Sequence, residues 1–224
     1  ANCPVMHDAT NTCQEAVAKA GFTYLKKHLR AVGKCLTDFQ KGTITGPDAD
    51  SVCRGTSLVA LPSDTGTADK LTNAVEMAST KVATKCSDAV VANLDLCSAT
   101  VGGLTCVFDE HFATADSAIG AQVGTLVTSG DAGQQACQAA ILREGRKYLT
   151  NEVKGLQKCL KDRQKACGDP TKALTRCLAR RETVTKPEEN LIKKHGKSLE
   201  KLAAKIAQLC TPEQAAASVA CAEA

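Results

Sequence analysis

Residues 13–42, CQEAVAKAGFTYLKKHLRAVGKCLTDFQKG, are written a second time in outline at residues 137–166, CQAAILREGRKYLTNEVKGLQKCLKDRQKA. The two stretches align without a gap and share 12 of 30 residues, among them both cysteines, Gly21 with Gly145, and Tyr24 with Tyr148. The offset of 124 persists along the chain: Cys13, Cys35, Cys53, Cys86 and Cys97 fall on Cys137, Cys159, Cys177, Cys210 and Cys221. A fixed period is the mark of a repeated structural unit. It sets the expected organisation as a first helical repeat over 1–106, a helical linker over 107–136 and a second helical repeat over 137–224.

Inside the first stretch Cys13, Val17, Ala20, Tyr24, His28, Val32, Cys35 and Phe39 recur three or four apart, which is the single apolar stripe of a long helix. Thr12 and Glu15 have the spacing of a capping box at its start. Leu71, Val75, Ala78, Val82 and Cys86 make a second stripe, and Ser87 with Asp88 opens a short third helix toward Cys97. In the second repeat that third helix is marked by Thr211 as cap, Pro212 at the first position and Gln214 closing the box. The segment from Gly42, rich in Thr, Gly and Asp, reads as loop with a brief helical piece at Cys53; its counterpart at Cys177 begins at Asp169-Pro170. Residues 106–127 form an amphipathic stretch joining the halves. The predicted fold class is therefore all-α, a tandem duplication of a disulfide-stapled helical hairpin plus a short third helix. Gly21 and Gly145 stand mid-helix, where Gly costs about 1 kcal/mol relative to Ala, so both positions are expected to admit a close neighbour.

The cysteines fix how the hairpin closes. Cys13 and Cys35 are 22 residues apart, about 33 Å along one helix, and cannot bond each other. If the second helix folds back antiparallel, its end at Cys86 meets Cys13 and the loop cysteine Cys53 meets Cys35. The expected bridges are Cys13 to Cys86, Cys35 to Cys53, Cys137 to Cys210 and Cys159 to Cys177. Parity between the halves then pairs Cys3 with Cys97 and Cys106 with Cys221; the rival arrangement is Cys97 with Cys106 and Cys3 with Cys221. Cys167 is left over, as a free thiol or a link to another chain.

Thirteen cysteines in 224 residues, with no Trp, two Tyr and four Phe, describe small-side-chain helical units braced by sulfur bridges, the habit of oxidising compartments. The expected location is secreted or periplasmic, in a bacterium: the chain opens ANCPV as if a signal peptide had been removed, and no Asn-x-Ser/Thr acceptor occurs. No apolar run approaches the roughly 20 residues of a transmembrane helix.

The net charge of +4 is unevenly held. Residues 1–136 carry 10 Lys and Arg against 14 Asp and Glu, whereas residues 137–224 carry 18 against 10. Opposite signs in the two halves point to contact between copies, giving a homo-oligomer or filament, or to an anionic polymer held at the basic half by Lys193, Lys194, Lys197, Lys201 and Lys205 with Arg180 and Arg181 nearby. No nucleophile elbow, phosphate loop, zinc-protease helix or dinucleotide fingerprint is present, and Glu188 with Glu189 after Pro187 suit a helix's first turn. The expectation is a secreted, disulfide-rich, non-catalytic structural or binding protein without a cofactor. The alternative is an extracytoplasmic metal or haem carrier. CPVMH, residues 3–7, resembles the haem-attachment pattern C-x-x-C-H with Met6 in place of the second cysteine, and Cys3, Met6 and His7 are soft ligands of the kind copper accepts. CVFDEH places Cys106 beside Asp109, Glu110 and His111, a metal cluster only if Cys106 stays reduced.

Overall fold

A computed structural model describes residues 8–128, 131–165, 177 and 186–218 of the chain. Among them every regular element is helical: α1 (Asp8–Gln40), α2 (Ala49–Cys53), α3 (Thr65–Ala83), α4 (Asp88–Val91), a 3-10 turn (Gly102–Leu104), α5 (Thr105–Gln122), α6 (Ala132–Lys165), α7 (Lys186–Leu209) and α8 (Pro212–Ser218). The all-α class follows from the 3.6-residue stripes.

Local chemistry sets the helix ends. Asp64 caps α3 by accepting from the Thr67 N–H at 2.8 Å, and Asp48 caps α2 by accepting from the Ser51 N–H at 2.7 Å. Thr211 and Gln214 close a reciprocal box at α8, with N to side-chain distances of 3.0 and 3.2 Å. Two starts differ from the sequence reading. α1 begins a turn earlier than the Thr12 box, so Thr12 lies within the helix. Asp131 caps α6, its carboxylate accepting from the Gln134 N–H at 2.9 Å, so the helix begins at Ala132, before the second repeat opens at Cys137.

α1 packs on α3, α6 packs on α7, and the two long helices pack on each other. The contacts between α1 and α6 run in opposite directions. Glu15 meets Lys161 at 2.8 Å, the Gln157 amide donates to Ala18 O at 2.7 Å, and the Gln40 amide donates to Gln138 Oε1 at 2.9 Å. Each long helix thus lays its beginning against the other's end. The layers read α3, α1, α6, α7.

Among the described residues five disulfides pin this arrangement: Cys13–Cys86 and Cys137–Cys210, each spanning 73 residues; Cys35–Cys53 and Cys159–Cys177, each spanning 18; and Cys97–Cys106, spanning 9. The first four are the hairpin staples that helix length dictates. The fifth corrects the parity argument, which paired Cys97 with Cys3 and Cys106 with Cys221. Parity fails because an offset of 124 carries Cys106, and the whole of α5, onto no residue of this chain; a short loop closure takes its place. Cys3, Cys167 and Cys221 lie outside the described residues.

The stretch 107–136, read from sequence as a linker, contributes α5 to the core of the first half. Phe108, Phe112, Ala115 and Ile119 are buried together with Tyr24, Leu29, Val32, Leu71 and Val82. Burying a Phe or Leu side chain is worth about 1.5–3 kcal/mol, so α5 is a structural partner of the α1/α3 hairpin. From α5 the chain crosses to α6 over 123–128, held by the fully buried amide of Gln138. That side chain donates to Thr125 O at 2.8 Å and accepts from the Val127 N–H at 2.9 Å, pairing with the crossing strand as a backbone amide would.

Candidate functional site

Most polar chemistry inside the first half gathers where α5 crosses α1. Tyr24 and His28, one turn apart on α1, are fully buried. The Tyr24 hydroxyl and His28 Nδ1 share a hydrogen bond at 3.2 Å, while the His28 ring meets Phe112 edge to face at 4.6 Å. His28 Nε2 has no hydrogen-bond partner. Burial pushes the His28 imidazole down to about 4, only partly opposed by the Asp116 carboxylate on α5. This is a neutral core histidine at ordinary pH. Gly21 serves His111: a Cβ there would collide with the His111 ring, which lies over α1 and whose basicity is lowered by the same burial. Gly145 in turn admits the side chain of Gln122. The mid-helix glycines exist for side chains of α5 rather than for a ligand.

The second half places different groups at the same seam. Under the offset of 124, His28 corresponds to Glu152 and Leu71 to His195. Across α6 and α7, His195 Nδ1 lies 2.7 Å from Glu152 Oε2 and 3.3 Å from the Tyr148 hydroxyl, and the Asn151 amide donates to Ser198 Oγ at 3.4 Å. Each of the paired tyrosines thus meets a histidine, Tyr24 one from its own helix and Tyr148 one from the facing helix.

Two open clefts flank α1. One, of about 670 Å³, lies between the end of α1, α2 and the crossing strand, over Leu36, Phe39, Ile119 and Leu126. Its one cation, Arg54, is engaged by Asp116 through Nε and Nη2, both at 2.8 Å, and by Asp50 at 3.0 Å. The other, of about 590 Å³, lies between α1 and the end of α3. Its carboxylate, Glu15, is held below the usual range by hydrogen bonds from Lys161 and then Lys19.

Charge on the outer surface is far more distinctive. Lys194, Lys197, Lys201 and Lys205 follow at steps of three and four along α7 and are all exposed. They form one cationic stripe roughly 16 Å long. Lys205 donates to Gln208 at 2.8 Å, and among the described residues none of the four is in an ion pair with a carboxylate. The sequence carries the complement elsewhere. Between Lys85 and Arg143 there is no Lys or Arg, while Asp88, Asp95, Asp109, Glu110, Asp116 and Asp131 all fall there. Asp88, Asp95, Asp109 and Glu110 are exposed, on α4, on the turn before the Cys97–Cys106 bridge and on the first turns of α5. Dividing the charge at residue 136 hid this run, because it crosses that boundary. A scan for the longest cation-free interval finds it at once.

The other candidates are dispersed. Cys106 is in a disulfide, and its neighbours Asp109 and Glu110 face solvent while His111 folds over Gly21. Among the described residues no three His, Cys, Asp or Glu side chains converge as a metal site requires, and no helix is long and apolar enough to cross a membrane. Cys3, Met6, His7, Arg180 and Arg181 lie outside the described residues. No protein-family model, curated protein or solved structure matches the chain.

Proposed function

We propose that this is a non-catalytic structural or binding protein, secreted or periplasmic, that self-associates head to tail. The five disulfides among the described residues are those of a chain matured in an oxidising compartment. The observation that carries the reading is the lysine stripe of α7, without a carboxylate partner among the described residues and set on the half with a surplus of 8 positive charges, while the other half has a surplus of 4 negative ones. Among the described residues α7 packs on α6 with its lysines exposed. A contact between unlike faces is heterologous and propagates unless it closes into a ring. The two hairpins, packed long helix to long helix, act here as a rigid spacer between a basic end and an acidic end.

Light scattering on the purified, unreduced chain tests this. In about 10 mM salt, where screening reaches only about 30 Å, the average mass rises with concentration. In about 1 M salt it returns to the 23.4 kDa of one chain. A mass that stays at one chain at low salt and high concentration defeats the proposal.

A further inference from the structure

On the self-association reading, we infer which surfaces meet: the Lys194, Lys197 and Lys201 stripe of α7 docks on the exposed carboxylates Asp109 and Glu110 at the start of α5 in a second copy of the chain. Both sides are pre-organised. The lysines are fixed on one face of a helix stapled to α6 by Cys137–Cys210, and the carboxylates ride on a helix whose start is tied by Cys97–Cys106. Neither side has its charge cancelled at home. None of the three lysines is in an ion pair among the described residues, and Asp109 makes only a long 3.4 Å contact with the Leu58 N–H. Within one chain α7 packs chiefly on α6 and α5 chiefly on α1, and among the described residues no ion pair joins α7 to α5. The acidic partner lies in the interval between Lys85 and Arg143, which holds no Lys or Arg, and Arg54, which reaches α5 from α2, is taken up by Asp116 and Asp50. Complementary patches of this kind set register and on-rate and exclude like-charged faces.

Charge exchange separates this assignment from its parent. The triple variant K194E/K197E/K201E and the double variant D109K/E110K change only exposed positions. Each alone loses low-salt association by at least about tenfold in apparent affinity, because one contact surface now repels its partner. Mixed in equal amounts the two variants associate again, since the reversed α7 of one fits the reversed α5 of the other. A wild-type chain that never associates defeats the self-association reading itself. A wild type that associates while either variant associates as well overturns the surfaces named here and leaves the parent reading standing. If the mixture fails to recover while wild type binds a sulfated polysaccharide through the same lysines, the stripe serves an anionic polymer and the assignment is overturned.

Discussion

His28 condenses the chemistry of this core into one side chain. It is fully buried, shares its Nδ1 with the Tyr24 hydroxyl, and turns an unpartnered Nε2 among Phe112 and its neighbours. In the unfolded chain its pKa is near 6.5, while in the fold burial pushes it down to about 4. The unfolded state therefore binds the extra proton across that interval, and stability rises with pH there. The contribution is fully present above about pH 6.5 and is lost as pH falls toward 4, and the shift corresponds to about 3 kcal/mol. His28→Leu removes the titration. It starts from a lower plateau, because Tyr24 loses its partner, but falls less steeply than wild type between pH 7 and pH 4.5 in urea unfolding followed by circular dichroism. Parallel curves for the two proteins would show that His28 is not the group being protonated. The stripe of three- and four-residue steps already put Tyr24 and His28 inside, since periodicity reports burial. It could not say that Nε2 would lack a partner, because that depends on Phe112 from a helix 84 residues further on.

At the scale of the element, the sulfur bridges differ in what they restrain. In the chain-entropy account stabilisation grows with the loop closed. Cys13–Cys86 closes 73 residues, Cys35–Cys53 closes 18 and Cys97–Cys106 closes 9. Double Cys→Ser replacement is expected to cost about 4, about 3 and about 2.5 kcal/mol in that order. Denaturant midpoints of the three double variants would check the ranking, and an inverted order would mean that native contacts around the bridge outweigh loop entropy. The hairpin staples were legible because a 22-residue helical separation forbids Cys13 from reaching Cys35 and leaves few alternatives. The Cys97–Cys106 bridge was legible only as the rival to the parity pairing, and the role of α5 was not legible at all. Cys106 and α5 belong to the part of the chain that the repeat does not cover, where symmetry gives no constraint. Gly21 and Gly145 announced a close approach in both halves, but only the packed helices identify the visitors as His111 and Gln122.

For the whole molecule, the antiparallel packing of α1 on α6 places the two hairpins back to back and leaves unlike charges at separate surfaces. The charge division was visible in the sequence. Its sharper form, a cation-free run from residue 86 to residue 142 set against a lysine helix, becomes meaningful once α5 is seen packed chiefly on α1 and α7 on α6. Zero-length carbodiimide coupling, which joins an amine to a carboxylate only in direct contact, reports on that arrangement. On a mixture of light and isotopically heavy chains at low salt, peptides containing Lys197 or Lys201 should be found coupled to the peptide containing Asp109 and Glu110. Those products should include mixed light and heavy pairs, because the contact lies between molecules. Raising the salt to about 1 M, where the screening length falls to about 3 Å, should abolish these pairs and spare the intramolecular product of Glu15 with Lys161, whose atoms lie 2.8 Å apart in the packed interface between α1 and α6. Products that remained purely light or purely heavy would place the lysine stripe against its own chain, and a head-to-tail chain of copies would then lose its joint.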